Sequence, residues 1–128
     1  MFHFCAGPAI SLFQESYFEL MKKALKPGGI VCSQGSGFFV DLKHVKETVK
    51  ACSRQFKNTK YATALVPSYP CGSIGFVIGS MDETQKLSEP LHRFTADEVD
   101  ELGFRYYTSE VHRAAFTLPR FAEKALGV

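Results

Sequence analysis

Residues 30–66 hold the pattern that most restricts the fold of this chain, a helical period between two short runs of strand-like residues. The first run is Ile30-Val31-Cys32, and the second extends from Tyr61 to Val66. Because a strand, a helix and a second strand follow one another, we predict an α/β fold with part of a parallel sheet. The helix should begin near Asp41, and lysines occupy its polar face. Its apolar face is spaced by three and four residues, at Leu42, Val45, Val49, Cys52 and Phe56.

A further strand is predicted at Ile74–Ile78, directly after the segment Pro67-Ser68-Tyr69-Pro70-Cys71-Gly72. The two prolines and the glycine of this segment favour a tight turn. Strands joined by a tight turn pair in antiparallel fashion. We therefore expect an antiparallel pair at the edge of the sheet.

Helix boundaries are suggested by capping residues. Ser11-Leu12-Phe13-Gln14 has the form of a capping box and predicts a helix start, and Pro27-Gly28-Gly29 should end that helix. Thr95-Ala96-Asp97-Glu98 predicts a second such start. Residues 82–93 are polar and irregular, which is typical of a surface loop. Three small C-terminal helices are expected, one ending at Gly103, one capped by Ser109 and one over Arg120–Leu126.

Length and composition indicate an ordinary globular protein. A chain of 128 residues predicts a single domain over 1–128. The net charge of +2 comes from scattered side chains, so nucleic acid is not an expected partner. No apolar run approaches the roughly 20 residues of a membrane span, and residues 1–4 do not resemble a signal peptide. We expect a cytoplasmic protein without a membrane partner.

The cysteines and the glycine-rich segment do not predict a cofactor. Cys5, Cys32, Cys52 and Cys71 lack the spacing of zinc ligands, so we expect free thiols and no metal. Gly35-Ser36-Gly37 follows a strand and precedes a helix, as in dinucleotide-binding domains. However, residue 40 is valine where a third glycine belongs, and no acid lies between residues 47 and 82. We interpret these glycines as a flexible turn.

Among the polar side chains, His44 has one interpretation and Tyr69 has two. His44 lies among lysines and is expected to be solvated. Tyr69 is either an aromatic residue at the rim of the core or a ligand contact. Loops at the carboxyl ends of strands hold ligands in α/β sheets, and a phenol fixed between two prolines could cap a small cation.

Several motifs together are similar to one known family. In order and spacing, residues 7–128 resemble the C-terminal part of the spermidine synthases, the aminopropyltransferases of polyamine biosynthesis. The resemblance implies the C-terminal portion of a Rossmann-like, methyltransferase-type sheet with an antiparallel edge pair and small C-terminal helices. The matching stretches are Gly7-Pro8-Ala9, Ser11-Leu12-Phe13, Gln34-Gly35, Pro67–Gly72, Ile74-Gly75-Phe76 and Val111–Phe116.

The resemblance also implies a reaction and a set of site residues. In the family, an amine of putrescine attacks the aminopropyl group of the co-substrate decarboxylated S-adenosylmethionine, without a metal or cofactor. The tyrosine that contacts the diamine corresponds to Tyr69, and Gln34 would offer a polar contact to the amine. Gly7 and Pro8 correspond to the end of the carboxylate loop, where the proline lines the nucleoside pocket.

This sequence departs from the family at the catalytic carboxylates. The proton-accepting aspartate falls at Met1, and the second aspartate falls at Phe4. Ser36 stands in place of an expected glutamate, and Phe39 in place of a tryptophan. The upstream glycine-rich nucleotide turn of the family has no counterpart here. We therefore expect a truncated synthase that is inactive alone or, alternatively, a non-catalytic homologue or fragment that pairs with a full-length synthase.

Overall fold

The computed structural model describes residues 8–128. One three-stranded sheet is built from β1 (Ile30–Gly35), β2 (Asn58–Leu65) and β3 (Ser73–Ser80). β3 lies in the middle and runs antiparallel to both neighbours, so β1 and β2 run parallel to each other without pairing. The predicted α/β class and the antiparallel pair β2–β3 are confirmed. The predicted parallel part of the sheet was wrong for the described residues, because β3 lies between β1 and β2 and both strand pairs are antiparallel.

The helices lie close to their predicted positions. α2 begins with a short helical segment and is interrupted at Asp41, whose backbone is extended at φ −149°. The Asp41 carboxylate accepts a hydrogen bond from the backbone N–H of His44 at 3.0 Å, so it caps the main part of the helix. The helices are α1 (Glu15–Ala24), α2 (Phe38–Gln55), α3 (Ala96–Glu101), α4 (Ser109–Ala115) and α5 (Arg120–Leu126), with 3₁₀ turns at Pro8–Phe13 and Pro70–Gly72.

The core lies between the sheet and one layer of helices. α2 packs on β2 and β3, and α1 and α5 flank it. The predicted apolar face of α2 is confirmed, because Val45, Val49 and Cys52 are buried. Alternate residues of β1 point into this core, and the residues between them, including Gln34, face away from it. Gln34 therefore points out of the core at the carboxyl end of the strand.

Two predicted helix starts need correction. Ser11 does not cap a helix: it lies inside the 3₁₀ turn, and α1 begins at Glu15 without a side-chain cap. The carbonyl of Ser11 instead accepts the N–H of Gln14, which closes the turn before the helix. α4 is capped by Thr108 rather than by its neighbour Ser109, because the extended backbone of Thr108 lets its hydroxyl accept the N–H of Val111 at 3.1 Å.

The remaining predicted boundaries agree with the structure. Thr95 and Glu98 form a complete capping box at the start of α3. Gly103, at φ 67°, follows the end of that helix in the left-handed region that glycine tolerates. Residues 82–93 contain no helix or strand. In the part of the chain that the structure describes, no helix is long and apolar enough to span a membrane.

Candidate functional site

A cavity of about 500 Å³ opens where the carboxyl end of β1 meets the turn before β3. Its walls come from three segments that are distant in sequence: the 3₁₀ turn before α1, the β1–α2 connection and the β2–β3 turn. Polar hydroxyl and amide groups lie beside apolar and aromatic surface, a mixture typical of small-molecule sites. The cavity is lined by Phe13, Gln34, Gly35, Ser36, Gly37, Val40, Ser68, Tyr69, Pro70 and Ser73.

Gln34 and Tyr69, two of the predicted site residues, meet at this cavity. The Gln34 side-chain amide Nε2 lies 3.3 Å from the phenol oxygen of Tyr69, to which it donates a hydrogen bond. Tyr69 keeps 38% of its surface exposed, so its ring forms part of the wall and is not a core residue. The exposed position of Tyr69 thus favours its interpretation as a ligand contact over that as a core aromatic residue.

The β2–β3 turn holds Tyr69 through its own backbone. The N–H of Tyr69 donates to the carbonyl of Val66 at 3.0 Å, and the Tyr69 carbonyl accepts the N–H of Gly72 at 2.9 Å. Cys71 and Gly72 both have left-handed backbones, at φ 59° and 66°. These left-handed residues end the connection of residues 66–72 and lead the chain into β3, where Ser73 pairs with Leu65. The predicted tight turn is confirmed, although the strained conformation of Cys71 was not foreseen.

The β1–α2 turn forms the opposite wall. A buried tyrosine of β2, Tyr61, donates a hydrogen bond to the Ser36 carbonyl at 2.7 Å. Burial raises the pKa of Tyr61 to about 12, against a smaller opposing effect of the Phe38 backbone N–H, so the phenol keeps its proton at neutral pH. Sequence reasoning did not associate Tyr61 with the site. Its only signal was an aromatic residue inside a predicted strand.

The cavity wall is uncharged in the described part of the chain. Its lining residues between 8 and 128 include no aspartate or glutamate. The chemistry that this wall offers is therefore orientation by hydrogen bonds and apolar contact, not proton removal. Over the same residues, no group of three or more His, Cys, Asp and Glu side chains could hold a metal ion. The expectation that no metal or cofactor is needed stays a prediction.

The remaining site predictions fall at the N-terminus. Met1, Phe4 and Gly7 lie outside the described residues. Pro8 begins the 3₁₀ turn that ends at Phe13, and its side chain is likewise outside the description. Of this segment, Phe13 reaches the cavity wall. Sequence reasoning had not assigned a function to Phe13, although it lies in one of the stretches that resemble the family.

The prediction that His44 is solvated was wrong. Its ring is half-buried and packs edge-on against Phe13, with ring centroids 4.8 Å apart. The ring nitrogen Nε2 is buried and has no hydrogen-bond partner in the described structure. Because Phe13 also lines the cavity, His44 supports the cavity wall from behind.

The thiols of the described cysteines are free, and two of them are poor nucleophiles. Cys32, Cys52 and Cys71 form no disulfide with one another. Burial raises the pKa of Cys52 to about 11, despite the hydrogen bond from Thr59, and burial also raises the pKa of Cys32. Both side chains therefore remain protonated near neutral pH, and the thiolate is the reactive form.

Comparison with known proteins places the chain in a family. The model of the spermine/spermidine synthase domain matches residues 3–89, which is more than half of the chain. The chain belongs to the spermine/spermidine synthase family. This membership confirms the resemblance drawn from the sequence.

Individual members of this family match nearly the whole chain. Spermidine synthase of Dictyostelium discoideum is 42% identical over 122 residues, which are 95% of this chain and 42% of that protein. Putrescine N-methyltransferase 1 of Nicotiana tabacum is 35% identical over 126 residues, 94% of this chain and 34% of that protein. The chain thus spans well under half the length of these relatives.

A solved member of the family shares the fold. The crystal structure of a spermidine synthase in complex with the transition-state analogue AdoDATO superposes with a TM-score of 0.79 at 27% identity. The match covers 99% of this chain and 42% of that one. The predicted fold class, a portion of the synthase sheet, is confirmed.

Proposed function

We propose that the cavity beside Tyr69 is the amine-acceptor part of an aminopropyltransferase active site. The observation that carries this proposal is the contact between Gln34 and Tyr69 at the cavity wall. A phenol oxygen and an amide next to each other can orient an amine through hydrogen bonds, and the ring face can cover a neighbouring ammonium group. The resemblance assigns the diamine contact to this same tyrosine.

The reactions indicated by the names of two relatives support an acceptor site rather than a donor site. One relative is a spermidine synthase and another is a putrescine N-methyltransferase, and both match more than 90% of this chain. The two reactions transfer different groups, aminopropyl and methyl, but both use a diamine acceptor. We infer that the shared region holds the diamine, with putrescine as the acceptor.

The proposed reaction is a nucleophilic substitution at carbon. The lone pair of a putrescine nitrogen forms a C–N bond to the aminopropyl carbon of decarboxylated S-adenosylmethionine. The C–S bond breaks, and its electron pair neutralises the sulfonium, which leaves as 5′-methylthioadenosine. The attacking nitrogen gives its proton to a general base. Because the sulfur already carries positive charge, departure needs no metal or cofactor, and Tyr69 and Gln34 would contribute orientation.

We further infer that the 128-residue polypeptide does not complete this reaction alone. Residues 1–128 would form a single domain, corresponding to the C-terminal part of the catalytic domain. The positions of the two family aspartates hold Met1 and Phe4, whose side chains cannot accept a proton. Loss of a general base costs about 10²–10⁴ in rate.

A turnover assay tests this inference directly. Purified polypeptide is incubated with putrescine and decarboxylated S-adenosylmethionine, and spermidine is measured by mass spectrometry. We expect no more product than in a blank without protein, while full-length Dictyostelium discoideum spermidine synthase serves as positive control. Spermidine formation above the blank would overturn the inferred inactivity.

Binding of putrescine tests the acceptor site separately from turnover. We expect putrescine to shift the NMR signals of the Gln34 side-chain amide and to bind Tyr69→Phe more weakly. Tyr17→Phe, which removes a phenol oxygen on α1, is the matched control and should bind like the unmodified chain. Equal affinity of all three proteins would reject the acceptor site.

The second candidate is a non-catalytic homologue that pairs with a full-length synthase. The observation that favours it is β1, an edge strand of the described sheet, whose sequence IVCSQG carries no charge. Uncharged edge strands offer free backbone groups to another chain. Mass measurement after mixing with a full-length synthase tests this pairing, and a mass equal to the separate proteins rejects it.

A further inference from the structure

Tyr61 is buried in β2 and nevertheless reaches the turn that forms one wall of the cavity. Only 1% of its surface is exposed. Its hydroxyl donates to the carbonyl of Ser36 at 2.7 Å, which links residues 25 positions apart. The Phe38 backbone N–H opposes the effect of burial on the pKa of this phenol. The hydroxyl thus contacts the β1–α2 turn through the Ser36 carbonyl.

The neighbouring strand leaves room for this contact. A side chain at Gly75 of β3 would overlap the Tyr61 hydroxyl and would also lie 2.6 Å from the Ser36 carbonyl oxygen. The absence of a Cβ at Gly75 is therefore what allows both ends of the hydrogen bond to approach each other. The ring of Tyr61 also lies beneath Gly35, where an added Cβ would be 3.6 Å from the ring.

The position of this turn sets the shape of the cavity. Gly35, Ser36 and Gly37 line one wall, and Gln34 directly precedes them. Gly37 packs beside Ser73, which follows the Tyr69 turn, so an added Cβ at Gly37 would lie 3.7 Å from the Ser73 carbonyl. Because Gln34 directly precedes the β1–α2 turn, we expect a shift of this turn to change the separation of Gln34 and Tyr69.

We propose that Tyr61 is a positioning residue of the acceptor site: its hydroxyl fixes the Gly35–Gly37 turn and thereby holds the Gln34 amide against Tyr69. This assignment rests on the proposed acceptor function of the cavity. Tyr61 does not line the cavity itself, so it acts through the turn and not on the ligand.

The test compares the loss of this hydroxyl with the loss of a similar one elsewhere on β2. Thr59, two residues before Tyr61 on β2, is also buried, and its hydroxyl donates at 2.6 Å to the carbonyl of Phe56, which does not line the cavity. Tyr61→Phe and Thr59→Val each remove one side-chain hydrogen bond to a backbone carbonyl, so both should lower the midpoint of urea unfolding. Comparing the two variants separates a general loss of stability from a loss of positioning at the cavity.

Only Tyr61→Phe should affect the site. We expect about tenfold faster amide exchange at Val40 and Asp41, whose N–H groups donate to the Gly37 carbonyl, because the turn loses the equivalent of one hydrogen bond. The side-chain amide signals of Gln34 should also move, and the affinity for putrescine should fall by about tenfold for the same reason. Thr59→Val should leave all three readouts unchanged. If Tyr61→Phe does not fold, Gly75→Ala, which displaces the same hydroxyl, should produce the same three changes.

The outcomes distinguish this inference from the proposed function. Equal exchange at Val40 and Asp41 in Tyr61→Phe and Thr59→Val would overturn the positioning role, whether or not putrescine binds. Failure of putrescine to bind the unmodified chain, with exchange altered only in Tyr61→Phe, would reject the acceptor function and with it the role of Tyr61 in that site. Altered exchange together with tenfold weaker binding supports both.

Discussion

His44 places its ring nitrogen Nε2 in the interior, where no described residue forms a hydrogen bond with it. A buried, unpaired polar group costs about 1–3 kcal/mol. We therefore expect His44→Leu to increase the free energy of unfolding by about 1–2 kcal/mol, because leucine fills a similar space beside Phe13 without a polar atom. Urea unfolding provides the measurement.

A second substitution to leucine on the same helix controls for the intrinsic helix propensity of leucine. Lys43 is the exposed neighbour of His44, and Lys43→Leu should change the free energy of unfolding by no more than about 0.5 kcal/mol. If His44→Leu is no more stable than the unmodified chain, the ring nitrogen is satisfied in solution and the reasoning fails.

At the level of residues, sequence reasoning identified the two polar partners but not the apolar wall. Tyr69 and Gln34 belong to stretches with a recognisable family pattern, and both proved to lie at the cavity. Phe13 and Tyr61 reach the site through the 3₁₀ turn and through β2, respectively. Such contacts depend on how distant segments pack, and no spacing in the sequence encodes them. His44 was misjudged for the same reason, since its burial depends on Phe13.

Among the secondary-structure elements, α3 depends on its capping box. The Thr95 hydroxyl accepts the N–H of Glu98 at 3.3 Å, and the Glu98 carboxylate accepts the N–H of Thr95 at 2.8 Å. Loss of an N-cap costs about 0.5–2 kcal/mol. Thr95→Ala should therefore speed amide exchange at Val99 and Leu102. Ser11→Ala removes the hydroxyl of the false capping box, so exchange in α1 should not change.

Acid should weaken the same capping box. The backbone N–H of Thr95, followed by its hydroxyl, lowers the pKa of Glu98 in the folded chain. A carboxyl with a lowered pKa stabilises the fold above its ordinary pKa, and this contribution is lost as the pH falls through the folded value. Exchange at Val99, corrected for intrinsic rates, should therefore accelerate on acidification in the unmodified chain but less in Glu98→Gln. Equal acceleration in both would contradict the role of this carboxylate.

The order of the strands was harder to predict than the strands themselves. Local periodicity and turn residues located β1, β2 and β3 to within a few positions. The hairpin required β3 to pair with β2 but left either side of β2 open. The structure places β3 between β2 and β1, where Ser80 pairs with both Asn58 and Ile30. This choice depends on packing across the whole sheet, because α2 covers β2 and β3 together.

For the molecule as a whole, the edge of β1 is the surface most suited to association. β1 pairs on one side with β3 and is the outer strand of the described sheet. Ile30, on this strand, keeps 43% of its surface exposed, and no lysine or proline of the kind that protects edge strands lies within β1. Backbone pairing at such an edge requires no specific side chains, so either a second copy or a synthase could provide the strand.

A charge on this edge should therefore prevent association. We expect Ile30→Lys to lower the apparent mass at high concentration, measured by sedimentation, and to reduce any complex formed with a full-length synthase. Leu91→Lys is the matched control: it places the same charge on an apolar residue that is 91% exposed, in the loop before α3. If Leu91→Lys lowers the mass as much as Ile30→Lys, the effect is general charge repulsion, and the edge of β1 is not the interface. If the unmodified chain stays monomeric at every concentration, alone and with the synthase, the edge does not drive association at all.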